Sequence, residues 1–309
     1  STRLSFTEGN VTSVFSLTWQ VRHESCGLPI IHHSKYVCDL PTNHRFPMGK
    51  FPRVLHFLFK DQVITENQVW VPEIASSDLL SCVHTEEYLN NFMNGRINDE
   101  GIVTRCRYET GEVKNLLIIL QPYEPLIPSP LFTGGTLLAA ELALQRGLAC
   151  STAGGTHHAF PGFGSGFCLL NDLAVAAKYV SASLKRKVLI VDLDVHQGDG
   201  TAFIFKEEPR VFTFSVHCGK NFPLRKQQSD LDISVTSVED HLPWLLDTFR
   251  PDLVLYDAGV DPHREDELGK LCLTDQGEPI IDLNLHSSIS EFLVHPRAVS
   301  ERSVRDNSI

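Results

Sequence analysis

Residues 188–200, Val-Leu-Ile-Val-Asp-Leu-Asp-Val-His-Gln-Gly-Asp-Gly, constrain the fold more than any other stretch of this chain. Val188 to Val191 is apolar at every position, the pattern of a strand covered on both faces in a parallel sheet. The strand ends in Asp192, Asp194 and Asp199, with His196 among them. Open α/β sheets place their sites at the C-terminal ends of strands. Carboxylates buried there need a partner or a cation, because an unpaired buried charge is expensive. Asp194 and His196 are two residues apart, so on extended backbone both side chains point to one side. A carboxylate oxygen and an imidazole nitrogen converging on one point suit a divalent metal such as zinc; an ion pair without metal is the plainer alternative.

Two other apolar strands deliver the same residue types. Leu148 to Ala153 runs into Gly154-Gly155-Thr156-His157-His158, and Asp252 to Asp257 leads to Asp261. Helices are expected at Lys50–Lys60, Gly134–Gln145, Asn171–Leu184, near Thr201–Lys206 and at His241–Phe249, with shorter pieces between Ser77 and Asn91. Strands are expected at Leu28–Ile31, Val69–Ala75, 148–153, 187–193, Val211–Val216 and 252–257, with a loop from there to Asp232 after the fifth. Strands alternating with helices imply an α/β fold with an open, mostly parallel sheet flanked by helices on both faces. Residues 1–277 read as a single domain, of which 1–20 carry no strong pattern and are expected to be poorly ordered.

The chain has 309 residues, and 27 Lys plus Arg against 38 Asp plus Glu give a net charge of -11. That balance argues against nucleic-acid binding through a basic face, and an acidic rim would attract a basic peptide. No apolar run approaches the roughly 18 residues of a membrane span; the longest is Leu116–Leu120. Eight scattered cysteines without a Cys-x-x-Cys pair read as reduced thiols in a reducing compartment, nuclear or cytoplasmic. Ser/Thr-rich residues 1–20, with Arg3, are compatible with organelle targeting, against which Glu8 and the brevity of the segment weigh.

Gly154-Gly155-Thr156-His157-His158-Ala159, Gly166-Phe167-Cys168-Leu169-Leu170-Asn171-Asp172, Asp192 to Gly200 and Asp257-Ala258-Gly259-Val260-Asp261-Pro262 resemble the histone deacetylase family. Asp257 to His263 and Leu273-Thr274-Asp275-Gln276-Gly277 are most similar to its class IV branch. His44-Arg45-Phe46-Pro47-Met48 and Val83 to Leu89 also resemble family segments. The resemblance implies an arginase/deacetylase-like fold and zinc-dependent hydrolysis of N-acetyl-lysine, or longer N-acyl-lysine, on histones or other proteins. It makes Asp194, His196 and Asp261 the zinc ligands and His158 the general base, held by Asp199. His157, held by Asp192, becomes its electrostatic partner. Gly166, Phe167 and Phe222 become walls of an acyl-lysine tunnel, Phe222 being open to the plainer reading of loop packing. A structural K+ near Asp192 and Ser215 is also implied, with backbone oxygens of Asp194, His196 and Val216. Acylated lysine peptides or histone tails, and protein partners of the corepressor kind, follow from the same resemblance.

The family's late tyrosine, which follows a Gly-rich turn, has no counterpart. Tyr36, Tyr88, Tyr108, Tyr123, Tyr179 and Tyr256 all precede Asp261, and no glycine follows Gly277. Residues 278–309 are therefore expected to be a divergent tail replacing the family's final strand and Gly-rich turn, and 109–120 look like an insert. Losing an oxyanion donor costs about 100- to 1,000-fold in rate. Two alternatives to the hydrolase stay open: a catalytically weak acyl-lysine-binding regulatory protein, and an amidohydrolase acting on acylpolyamines.

Overall fold

A computed structural model describes residues 27–37, 46–94, 128–234, 241–269, 271 and 291–294. The expectations for residues 1–20, for 95–127, for His44 and Arg45, for Leu273–Gly277 and for most of the 278–309 tail lie outside the described residues.

The strands are β1 (Ile30–Ile31), β2 (Val69–Trp70), β3 (Leu148–Ser151), β4 (Val188–Asp192), β5 (Val211–His217), β6 (Leu231–Ser234), β7 (Leu253–Asp257) and β8 (Glu291–Val294). They form one sheet in the order β2-β1-β3-β8-β7-β4-β5-β6. Every pairing is parallel except those of β8, which runs antiparallel to both β3 and β7. The fold is the α/β, mostly parallel, arginase/deacetylase-like architecture. The sequence expects no strand from the tail, yet Glu291–Val294 fills an interior place in the sheet. Strand β6 was expected as loop; Leu231 and Ile233 are only half buried, the weak alternation of an edge strand.

The helices are α1 (Lys50–Lys60), α2 (Ser77–Leu80), α3 (Glu86–Met93), α4 (Pro128–Arg146), α5 (Asp172–Lys178), α6 (Asp199–Phe205) and α7 (His241–Phe249). Strand β4 shows why both sheet faces need covering. Val188 and Ile190 point into one core with Leu137, Ala140, Leu173, Ala174 and Ala177 of α4 and α5. Leu189 and Val191 point into the other, with Leu58 of α1 and Leu245 of α7. That is the two-residue period of a strand read out as two hydrophobic cores. Helix α4 begins six residues before the expected Gly134, because Pro128 and Pro130 occupy its first turn, where a missing N–H breaks no helical hydrogen bond. Helix α5 stops at Lys178 and continues as a π turn, Tyr179–Ser183.

Helix α4 lies close beneath the segment after β2, whose Ala75 N–H donates to Pro130 O of the helix (3.1 Å). A Cβ on Gly134 would sit 1.8 Å from the Glu73 carbonyl oxygen, whereas one on Gly49 would meet nothing within 4 Å. Gly134→Ala is therefore expected to lose about 1–3 kcal/mol of stability by forcing backbone apart. Gly49→Ala should stay within about 0.5 kcal/mol of wild type, as surface changes do. Urea unfolding of both variants checks the contrast.

Candidate active site

The ends of β3, β4 and β7 meet at one rim. Asp192 closes β4, and its register partners are Asp257 on β7 and Ser215 on β5. Beyond β3 the chain turns through Gly154 and Gly155 and inserts His157 and His158, which are 2% and 4% exposed. His157 Nδ1 lies 2.7 Å from Asp192 Oδ2, and His158 Nδ1 lies 2.7 Å from Asp199 Oδ1. With the far nitrogens so engaged, the two Nε2 atoms face each other at 3.1 Å. The turn is held from below by Asn171 and Asp172 at the start of α5. Asn171 Nδ2 donates to the carbonyls of His157 (3.2 Å) and Ala159 (3.1 Å), and Asp172 Oδ1 accepts the Thr156 N–H (2.8 Å).

Beside the pair, Asp194, His196 and Asp261 converge. His196 Nδ1 is 2.9 Å from Asp194 Oδ1 and 2.9 Å from Asp261 Oδ2. The Val195 N–H donates to Asp261 Oδ1 (2.8 Å), and the His196 N–H to Asp194 Oδ1 (2.7 Å), so the turn after β4 is folded around its own acids. One ligand atom from each of the three lies within 4.8 Å of the others, and all three side chains are partly open. Two carboxylates and one imidazole nitrogen, with an open side, fit zinc in the three-ligand arrangement of a catalytic site. A second group of this kind, His157, Asp192 and Asp257, is buried throughout. It leaves no open side, which favours its reading as a hydrogen-bonded relay.

Aromatic rings lie close to these groups. The Phe222 ring is 4.9 Å from the His158 ring and 6.2 Å from His196. Phe167 instead packs on Phe46, at 5.9 Å. Gly166 has φ +53°, and a Cβ there would lie 2.3 Å from His158 Cδ2. Gly166 thus lets the backbone lie flat against the imidazole in a conformation that favours glycine.

Charge follows from burial and neighbours. Burial disfavours a charged His157, but Asp192, Asp194 and Asp257 outweigh it and hold the imidazole well above its usual range. Burial and the His157 cation lower His158, despite Asp199, leaving it a proton acceptor. Burial works against a charged His196 as well, yet Asp194 and Asp261 carry it up to about 9. Burial and the Asp194 charge push Asp261 up to about 6.

Several contributors escaped the sequence reading. Asp257, 3% exposed, has no assigned role there; its Oδ2 lies 3.5 Å from His157 Nδ1 and has no hydrogen-bond partner among the described residues. Burial and Asp192 raise it well above the usual carboxylate range. The signal was its place at the end of an apolar strand, which only the strand order turns into contact with Asp192. Phe46 and His84 stand out in the sequence only as members of family-like segments. The His84 Nδ1–H donates to Phe160 O (3.1 Å), while Nε2 accepts the Asn171 N–H (3.0 Å). That pattern requires neutral imidazole, and burial lowers His84 to about 4.

Two outcomes are expected. Gly166→Ala should displace the His158 ring and depress any turnover at least about 100-fold, the worth of a positioned general base, with metal content unchanged; steady-state kinetics and metal analysis check this. His84 binds its proton more weakly in the fold than in the unfolded chain, where a His titrates near ~6.5. Its stabilising contribution is whole above that pH and fades as the pH falls toward about 4. The stability gap between wild type and His84→Gln should therefore shrink between about pH 6.5 and 4.5, by up to about 3 kcal/mol. A gap that stays constant in urea titrations across that window would contradict the assignment.

Comparison with known proteins bears on the same residues. The chain matches the histone deacetylase domain over residues 44–292. It is 47% identical over 264 residues to an uncharacterized protein of Picosynechococcus sp., covering 81% of this chain and 83% of that one. It is 31% identical to histone deacetylase 2 of Arabidopsis thaliana, covering 80% of this chain and 67% of the relative. Identity to the acetoin utilization protein AcuC of Staphylococcus aureus is 28%, and there the match spans 64% of the relative's length. Among solved structures, an HDAC homolog from Aquifex aeolicus superposes with a TM-score of 0.65 at 24% identity, covering 81% of this chain and 73% of that one, a likeness of fold.

Proposed function

The chain belongs to the histone deacetylase family, and from that premise we propose that it is a zinc-dependent amidohydrolase that removes the acyl group from N-acyl-lysine. The observation that carries the reading is the three-donor group Asp194, His196 and Asp261, set beside a histidine pair whose outer nitrogens are each held by a carboxylate. Zinc held there would supply Lewis-acid polarisation of the amide carbonyl and make a water easier to deprotonate.

The chain's own residues then divide the proton work. His158 Nε2 takes the proton from the attacking water, since its imidazole is held neutral, and later delivers it to the leaving amine. Asp199 fixes the tautomer by accepting from His158 Nδ1–H. His157, kept cationic by Asp192 and its neighbours, stabilises negative charge developing on the substrate. Phe222 and Phe167 exclude water along the acyl-lysine chain, which is apolar once its amine is acylated.

The same reading proposes a K+ near Asp192 and Ser215, which are neighbours across β4 and β5; Ser215 Oγ is also 3.0 Å from His217 Nδ1. Proposed substrates are acyl-lysine peptides, histone tails included, with corepressor-like proteins as partners. Cys82, Cys150, Cys168 and Cys218 are free thiols, which supports a reducing compartment, nuclear or cytoplasmic. No helix among the described residues is long and apolar enough to cross a membrane.

A second reading, an acyl-lysine binder with negligible turnover, is favoured by one specific observation. None of the six tyrosines follows Asp261, and the hydroxyls of Tyr88 and Tyr179 are spent on Leu169 O and Glu141. Purified protein should hold about one zinc per chain, as a three-ligand catalytic site does. It should hydrolyse acetyl- or myristoyl-lysine peptides, and His158→Ala should cut the rate about 100- to 10,000-fold while zinc is retained. Tight hydroxamate binding without hydrolysis would select the binder; absence of zinc would remove both readings.

A further inference from the structure

The loop from Cys218 to Gln227 carries Phe222, the ring lying against His158; Pro223 is buried and Leu224 is 74% exposed. Polar contacts also hold the loop, and they run to both stretches of chain that carry the metal-ligating group. Gln197, the residue after His196, is 1% exposed. Its Nε2 donates to Gln227 O (2.7 Å) and Asp232 Oδ1 (2.6 Å), and its Oε1 accepts the Gln227 N–H (2.9 Å). At the loop's other end the Cys218 N–H donates to Val195 O (2.9 Å).

Asn221, 5% exposed, makes the second attachment. Its Oδ1 accepts the Phe222 N–H (2.9 Å), and its Nδ2 donates to Leu268 O (3.2 Å). Leu268 belongs to the loop that follows Asp261, which Asp266 Oδ1 closes by accepting the N–H groups of Leu268 (2.7 Å) and Gly269 (2.8 Å). Lys226 Nζ braces the turn from within, donating to the carbonyls of Asn221 (2.7 Å) and Pro223 (2.8 Å).

We propose that Gln197 and Asn221 are positioning residues that tie the Phe222 loop to the His196 and Asp261 segments, so that metal occupancy and the channel wall are coupled. The proposal rests on the metal reading of the site given above. Drawing His196 and Asp261 onto one ion fixes the two anchor points of the loop, and the loop in turn orders the ligands. Buried polar partners behind metal ligands act in this way, and losing one typically costs about 10- to 100-fold in metal affinity.

The test uses the full chain, zinc, a chelator competition, a hydroxamate probe and hydrogen–deuterium exchange of residues 218–227. Zinc should slow exchange across that loop in wild type. Asn221→Ala should abolish the slowing and weaken hydroxamate binding about tenfold with zinc stoichiometry intact, and Gln197→Ala should weaken zinc about 10- to 100-fold. Gln197→Glu sets a carboxylate against Asp232; adding Asp232→Asn restores a donor at that contact, so the double variant should regain zinc affinity lost by the single one. Thermal melts identify any variant that fails to fold, and the exchange measurement on wild type stands without them. Zinc bound at one per chain with loop exchange unchanged overturns the coupling, as does a double variant no better than Gln197→Glu. Failure of wild type to take up zinc is read separately, from stoichiometry, and overturns the proposed function together with the coupling.

Discussion

Two carboxylates at the ends of neighbouring strands, in a place almost without water, set the terms for the rest of the molecule. Asp192 and Asp257 are register partners and are 4% and 3% exposed. Like charges so close in a medium of low dielectric must be neutralised or matched. His157 matches Asp192 at 2.7 Å, while burial and the Asp192 charge hold Asp257 well above the usual carboxylate range. Burial and the His157 cation then lower His158, which is what a proton acceptor in this position requires. The acid–base asymmetry of two adjacent histidines is thus a consequence of the sheet bringing two strand ends side by side.

Legibility in the sequence followed the strength of the local signal. Val188–Val191 is apolar throughout, and the strand it forms with Asp192 lies where the pattern puts it; α1 and α7 have their expected bounds. Four-residue β6, half-buried at the edge, has too little pattern to separate from loop. The start of α4 is hidden by prolines, which read as breakers unless they fall in a first turn. At the site, Asp194 and His196 announce themselves by spacing on one strand end. The pairings of His157 with Asp192 and of His158 with Asp199 span 35 and 41 residues and were reached through family resemblance. Asp257 was visible as an acid but not as a partner, because periodicity does not encode which strands are neighbours. Asn171 and His84 act on backbone carbonyls and N–H groups, contacts that no residue pattern reports.

The site is layered by the kind of force that holds each part. The histidine turn rests on a dry polar hub, in which Asn171, Asp172, Thr156 and His84 satisfy one another's donors and acceptors. Such hubs are stiff, since any unmet partner is costly. The aromatic wall hangs on surface loops held by side-chain amides and one lysine. The reacting groups and the aromatic ring beside them are thus held by different sets of polar contacts.

Strand β8 has a consequence for how the chain reaches this state. The sheet consists of a trio, β2-β1-β3, and a quartet, β7-β4-β5-β6, and β8 is the ladder between them. Its four residues follow every other described strand in sequence, so the β3–β8 pairing spans 140 residues or more. Closing so long a loop is slow, because chain entropy is lost before any contact compensates. The helix α4 touches β1, β3, β7 and β8 and so packs against both halves of the sheet. The two half-sheets are therefore joined through the strand latest in sequence among those described, and the rim shared by β3 and β7 depends on a pairing between distant parts of the chain.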